Sequence, residues 1–539
     1  MSRLQQVWRR VRPQVNAVTS RVSPVRGFPQ RSDIAPGIYQ HQRRFVTAAP
    51  RVRPFDAGIY HLRIALQAAR SAGIPHLVCP GSNGVSYRLI IKEPDARAFY
   101  GQLVAQQHDD AVYATWDGDW GIATRLARSC APDTLAAAVD VLVHTYLRTD
   151  IQGIPSPYSV GCFVEPWVPS RRLDSRDGEV WAARRPNPRH SAVLWNDAQT
   201  TALDIPGIGS VPTLRAFLDD AMLTRPFPVD AVYLWVDDDD PAWRTRRDAA
   251  LTALGRTPPS DSADVARFRH HGELRYALRS LEYYAPWINR VFLVTDGQRP
   301  DWLTSDSSVI TVVDHNDIWD DPDALPVFNS HAITARLHHI PGLADQYLYI
   351  NDDVFMGSPV LPRNWFTPSG QPVFQNTSST LPDRSLRKDL PTHDNARYNS
   401  LDLVHEATGY RPTRLFMHGP IAQSRPWQAE LEARFPDQYR RTAESRFRSR
   451  SDIEPIWLHH YMGYAEGRTV PGNLRYEYIS MADPLAPQRL AAMKDDRRTQ
   501  VFCINDDGAA PDRTIDAVLD FLPSYFPFPS RFEAGPAPA

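Results

Sequence analysis

Beyond residue 228 of this chain five short apolar runs each end directly in a cluster of carboxylates or carboxamides. Ala231 to Val236 runs into Asp237, Asp238, Asp239 and Asp240, and Arg290 to Thr295 into Asp296 and Gly297. Val309 to Val313 runs into Asp314, His315 and Asp317, and Gln346 to Ile350 into Asn351, Asp352 and Asp353. Val501 to Ile504 runs into Asn505, Asp506 and Asp507. Runs this short, rich in Val, Ile, Tyr and Phe, read as strands buried on both faces of a mostly parallel sheet. Amphipathic segments separate them. Glu273 to Tyr284 sets Leu274, Leu278 and Leu281 on one helical face, and His331 to His339 follows an Asn329-Ser330 start that suits an N-cap. The expected fold is α/β, an open and mostly parallel sheet with helices on both faces. Ligands of such sheets sit at the carboxyl ends of the strands. One Asp after a strand is usually a turn former; five clusters together predict a shared crevice.

Residues 1–228 divide differently. Residues 1–53 hold 11 arginines against one acidic residue, Asp33, a balance of about +10, whereas the rest of the chain carries 49 basic and 61 acidic residues. A basic tail on an acidic body suggests an anionic surface as partner, or else a solvated extension. Leu4, Val7, Trp8, Val11 and Val15 fall at helical spacing among arginines, which suits a short interfacial helix. Residues 54–228 read as a smaller N-terminal α/β module of unknown role. Its expected helices are Tyr60 to Ala72, Asp95 to Gln107 and Pro132 to Tyr146, and its expected strands are His76 to Cys79 and Ser86 to Ile91. Residues 229–539 form the larger domain. Cys79, Cys130, Cys162 and Cys503 lie far apart with no CxxC, which fits a reducing cytoplasm. No apolar run is long enough to span a bilayer, and no secretory signal is apparent. The expected location is cytoplasmic, peripheral at the inner face of the membrane if the tail binds lipid.

Adjacent Asp352 and Asp353 after an apolar strand make a hard oxygen site for Mg²⁺ or Mn²⁺, with Asp506 as a third oxygen donor. His338-His339 and His459-His460 are adjacent pairs without zinc spacing. No GxxxxGK[ST] loop is present, and Pro206 to Pro212 fails GxGxxG, so an ATP-type P-loop kinase is not the expected class. Arg275, Arg279, Arg446, Arg448 and Arg450 offer planar donors for phosphate. A metal-bound diphosphate held by acids and arginines fits best.

These residues resemble the Stealth family of bacterial capsule and exopolysaccharide phosphotransferases, which includes the animal N-acetylglucosamine-1-phosphotransferase. Four regions match in order over Val229 to Glu533. The first runs from Val229 to Trp243 through Trp235-Val-Asp237. The second takes in Glu273 to Ser280, Val294-Thr-Asp-Gly-Gln298, Leu325 to Ser330 and Tyr349-Ile-Asn-Asp-Asp353. The third contains His418-Gly-Pro420, Phe447-Arg448 and His459-His-Tyr461, and the fourth Phe502-Cys-Ile-Asn-Asp506 and Pro529 to Glu533.

The resemblance implies transfer of a sugar 1-phosphate from a nucleotide diphosphate sugar, here a UDP-sugar, to a saccharide acceptor. It also implies roles. Asp352, Asp353 and Asp506 are metal candidates, and His418, Arg448 and Asp353 are catalytic candidates. Asp237, Arg275, Asn329, Asn351 and Asn505 are candidate substrate contacts. Two departures stand out. Asp238 and Asp239 replace the small residues that usually follow Trp-Val-Asp, and Thr334 stands where the family often has Glu. A different acceptor, or a neighbouring acid such as Asp317, would account for the second. The runner-up is a metal-dependent glycosyltransferase that releases a nucleoside diphosphate. The body has no zinc-finger or RRM signature, so nucleic acid is not an expected partner.

Overall fold

The computed structural model describes residues 34–39, 42–49, 52–81, 84–106, 111–118, 121–149, 156–170, 178–185, 187, 189–218, 227–255, 271–381, 384, 390–506 and 510–534. The expected interfacial helix, Leu4 to Val15, lies outside them.

Within the expected tail, Ile34–Tyr39 and Gln42–Ala48 pair as an antiparallel hairpin, and the second strand runs parallel to Tyr146–Arg148. The module that follows is a mostly antiparallel eight-stranded sheet sharing one core with helices Pro54–Ala72 and Ala96–Ala105. Pro54 opens the first helix, and Gly73, at φ 64°, closes it in the left-handed conformation. The third expected helix is cut short. Only Pro132–Ala137 is helical, and Val141–His144 is a fully buried strand between Tyr113–Gly118 and Cys162–Pro169. Val-Leu-Val-His is apolar or β-branched at three of four positions, and pairing on both edges outweighs the helical spacing around it.

The larger domain opens with β1 (Val229–Leu234), followed by β2 (Val291–Thr295), β3 (Thr311–Asp314) and β4 (Gln346–Asn351). These are parallel in the order β3-β2-β1-β4. After β4 come β5 (Val354–Met356), β6 (Ile421–Ser424), β7 (Tyr476–Ser480) and β8 (Val501–Asn505). β6 closes the main sheet antiparallel to β4. Successive residues face opposite cores: Ala231 and Tyr233 pack with one cluster and Val232 with the other. That two-sided burial explains the unbroken apolar runs.

Four of the five expected strands lie in this sheet. The fifth, β8, lies in a separate three-stranded sheet between β5 and β7. Its end still returns to the first four, because β5 follows β4 directly. Ile504 N–H donates to the Asp353 carbonyl at 3.0 Å. Helix α1 (Glu273–Tyr284) has the expected bounds and buries Leu274, Leu278 and Leu281. The second expected helix divides into α2 (Ser330–Thr334) and a 3₁₀ turn, Leu337–His339, with the Asn329 side chain capping α2 through the His331 N–H. Two further helices matter to the site, α3 (Thr392–Thr408) and α4 (Pro455–Ala465).

Candidate active site

A cavity of about 970 Å³ opens at the carboxyl ends of the parallel strands. Trp235, Asp296, Asn351, Asp352, Asp353, Asn505 and Asp506 line it from strand ends, His418 from the turn before β6, and Arg397, Arg448 and Glu454 from α3 and the segment before α4. The shared crevice expected from the clusters therefore includes the end of β8.

Asp353 is the hub. Its Oδ2 lies 3.6 Å from His418 Nε2, and it accepts from the Cys503 thiol at 3.2 Å and Asn505 Nδ2 at 3.3 Å. Tyr478 OH donates to Asn505 Oδ1 at 2.9 Å, fixing that amide so that its nitrogen faces Asp353. On the other side, Tyr349 OH donates to Asn351 Oδ1 at 2.6 Å, which leaves Asn351 Nδ2 to donate to His418 Nε2 at 3.0 Å. This pattern assigns neutral His418 a lone pair on Nε2 and its proton to Nδ1. Tyr476 OH holds the His418 carbonyl at 2.8 Å.

The electrostatics separate the paired acids. Burial opposes ionisation of Asp353, but His418, the Cys503 thiol and Asn505 outweigh it and hold its pKa below the ordinary value. Burial and the charges of Asp353 and Glu273 push Asp352 well above the carboxylate range. Burial disfavours the His418 imidazolium, yet Asp353 raises its pKa. Burial also raises Glu273, and His271 pairs with Asp506 Oδ2 at 3.1 Å.

The acids fit a divalent cation. Asp353 Oδ1 is buried without a hydrogen-bond partner, and Asp352 stays ionised beside it only if positive charge compensates. Cys503 lies close enough to join a ligand set with Asp353 and His418, but burial and Asp353 raise its pKa well above the ordinary value. It remains a thiol donor, and the oxygens of Asp352 and Asp353 suit a hard ion, whereas Asp506, held by His271, does not fall into one ligand cluster with them.

Asn351, Asp352, Asp353, His418, Arg448, Asn505 and Asp506 thus meet in one cavity. Three candidates do not line it. Arg275 Nε lies 3.5 Å from Glu533, and its guanidinium covers Trp302. With Arg279, which forks onto Glu533 at 2.8 and 2.7 Å, it secures the C-terminal segment. Asn329 is fully buried; besides capping α2 it donates to Asp452 Oδ2 and the Ser445 carbonyl. Asp237 accepts from the Asp239 N–H at 2.9 Å while Gln298 clasps its backbone from both sides, so it shapes the turn after β1. Thr334 is buried and donates to the His331 carbonyl. Asp317 caps the Asp314 N–H and supplies no carboxylate here. Sequence reading missed His271, Arg397, Glu454 and Tyr478, which no strand-end pattern marks.

Family models of the Stealth protein match in order: conserved region 1 over residues 227–255, region 2 over 267–374, region 3 over 417–464 and region 4 over 492–539. An exopolysaccharide phosphotransferase of Streptomyces coelicolor is 36% identical over 510 residues, covering 92% of this chain and 85% of that protein. The chain belongs to the Stealth family of phosphotransferases. Another relative of this Stealth protein, the exopolysaccharide phosphotransferase CpsY of Mycobacterium tuberculosis, is 30% identical over 518 residues, 94% of each chain. These matches extend into the N-terminal module, which the four family regions leave uncovered. The galactosyltransferase LgtC superposes with a TM-score of 0.29 at 14% identity, over 54% of this chain and 95% of that one, a likeness too low to carry an argument.

Proposed function

We propose that this Stealth phosphotransferase moves a sugar 1-phosphate from a nucleotide diphosphate sugar to a hydroxyl of a saccharide acceptor. The products are a nucleoside monophosphate and a phosphodiester of an exopolysaccharide or capsule. The observation that carries this reading is the single cavity in which paired acids, an imidazole lone pair and two arginines meet. The acceptor hydroxyl displaces Asn351 Nδ2 from the His418 Nε2 lone pair and gives up its proton there, and Asp353 stabilises the imidazolium that results. The acceptor oxygen forms a bond to the β-phosphorus as the bond to the departing nucleoside monophosphate oxygen breaks. Arg448 and Arg397 meet the charge that spreads over the phosphoryl oxygens. A Mg²⁺ or Mn²⁺ ion held by Asp352 and Asp353, with Asp506 released from His271 to join them, would neutralise the diphosphate and ease the hold of Asp353 on the His418 proton.

The leaving group tests the reading. The protein is incubated with Mg²⁺, a saccharide acceptor and a panel of UDP-sugars, and the nucleotides are separated by ion exchange. UMP with a new phosphodiester signal in the phosphorus spectrum is expected. UDP with a phosphorus-free glycan would hand the chain to a glycosyltransferase mechanism. No helix among the described residues is long and apolar enough to cross a membrane. The arginines of residues 1–53 support docking on anionic lipid at the inner membrane face. Loss of salt-sensitive vesicle sedimentation on deleting residues 1–33 is the corresponding test.

A further inference from the structure

The same cavity holds a second charged cluster. His331 Nε2 on α2 lies 3.0 Å from Glu454 Oε2, and its Nδ1 lies 3.7 Å from Asp452 Oδ2. The two acids differ. Asp452 is sealed, its Oδ2 taken by Asn329 Nδ2 at 2.9 Å and the Ser449 N–H at 2.8 Å. Glu454 keeps 14% of its side chain exposed, lines the cavity, and receives no hydrogen bond at Oε1 from a described residue. Beside it stand Arg448, donating to Ser330 Oγ at 2.7 Å, and Arg397, laid over Trp457 at 4.3 Å.

The charges lock one another. Burial opposes ionisation of Glu454, but His331, Arg397 and Arg448 outweigh it and bring its pKa to about 2. Burial opposes the His331 imidazolium, but Glu454 and Asp452 raise its pKa to about 9. At neutral pH the cavity wall therefore presents a carboxylate that cannot take up a proton and has one oxygen open. Such a group repels phosphate and accepts hydrogen bonds. Arginines beside it do the reverse. Together they match a sugar hydroxyl next to a phosphate.

We propose that Glu454, positioned by His331, is a specificity residue that accepts a hydrogen bond from a hydroxyl of the bound sugar, between arginines that take its phosphate oxygens. The role rests on the transfer reading above. The hydroxyl belongs either to the donor's sugar or to the acceptor, and the kinetics tell the two apart.

The test uses the full-length protein with Mg²⁺, the UDP-sugar that the parent turns over and its acceptor, each varied in turn. Glu454→Gln is expected to raise KM about 10- to 100-fold for whichever substrate carries the hydroxyl, the range for a hydrogen bond to a charged group. It also removes the partner that keeps His331 protonated, so the alkaline limb of the pH profile moves downward from about pH 9. Glu454→Asp keeps the charge but draws the oxygens back; it is expected to raise the same KM while His331, followed by NMR, still titrates well above 6.5. It also serves if Glu454→Gln folds poorly. Unchanged KM values for both substrates overturn the proposal even if the alkaline limb moves, because the pair is then structural. Absence of UMP release by the parent from every UDP-sugar overturns the transfer reading, and the hydroxyl role falls with it.

Discussion

His418 Nε2 and Asp353 Oδ2 face each other at 3.6 Å, although they lie 65 positions apart in the chain. Each is held by its own chain of donors. Tyr349 and Asn351 set the tautomer of His418, while Tyr478, Asn505 and Cys503 set the direction of Asp353. In the proposed transfer His418 is the general base and Asp353 the anion that stabilises its imidazolium.

His418→Ala is therefore expected to lower kcat by about 10²- to 10⁴-fold, the usual contribution of a positioned acid–base group. Donor affinity, read by calorimetry with a UDP-sugar, should stay within a few-fold. Near-normal turnover in the variant would remove His418 from the mechanism.

Asp352→Asn and Asp353→Asn are each expected to abolish Mg²⁺-dependent turnover. Their stabilities should diverge from their activities. Without a cation, burial and the charges of Asp353 and Glu273 keep Asp352 protonated, so Asn replaces a neutral carboxyl and the variant should melt close to the parent. A cation that binds only the folded chain raises Tm; Mg²⁺ should do so for the parent and not for either variant. A parent Tm insensitive to Mg²⁺ and Mn²⁺ would sink the metal assignment.

Much of this site is legible because strand ends announce themselves. Apolar runs that stop at Asn351-Asp352-Asp353 and Asn505-Asp506 must place those side chains where a parallel sheet ends, and the four Stealth regions mark the same positions. The sheet membership of β8 was not legible, since pairing with β5 depends on a turn at Asp352-Asp353 that no local propensity specifies. Arg275 shows another limit. Its helix and face follow from periodicity, but its partner Glu533 lies 258 positions away in sequence and is known only from the fold. Glu454 escaped notice for the opposite reason. An acid just before Pro455 reads as the start of a helix, and only its contact with His331 reveals the cavity role.

Tyr478→Phe tests the support beneath Asp353. The lost hydroxyl frees Asn505 Oδ1, and the amide can then turn its nitrogen away from Asp353. Supports of this kind behind a ligating carboxylate are typically worth about 10-fold or more. The expected outcome is a kcat lowered about 10-fold with an increased Mg²⁺ requirement, read from metal titrations of the initial rate. An unaltered Mg²⁺ dependence would limit Tyr478 to lining the mouth.

The N-terminal module should be acid-labile, and His61 is a reason. Its ring is fully enclosed, with Nδ1 2.7 Å from the Val160 carbonyl and Nε2 2.9 Å from Thr145 Oγ1. Burial brings its pKa from the ordinary 6.5 down to about 4. Above pH 6.5 the ring is neutral whether the chain is folded or not, and the stability it supports is fully present. Between pH 6.5 and 4 the unfolded chain binds a proton that the folded one refuses, so stability falls as pH falls. For this one group the loss from pH 7 to pH 5 is about 2 kcal/mol. Buried His144, with its pKa brought to about 3, adds to the same slope. Hydrogen exchange of the Pro54–Ala72 helix, corrected for intrinsic rates, is the readout, because it reports this module apart from the larger domain. Protection in the parent should decline steeply between pH 7 and pH 5. His61→Gln, which cannot titrate, should start less protected at pH 7 and decline with a shallower slope. Equal slopes in parent and variant would mean that His61 does not carry the acid sensitivity.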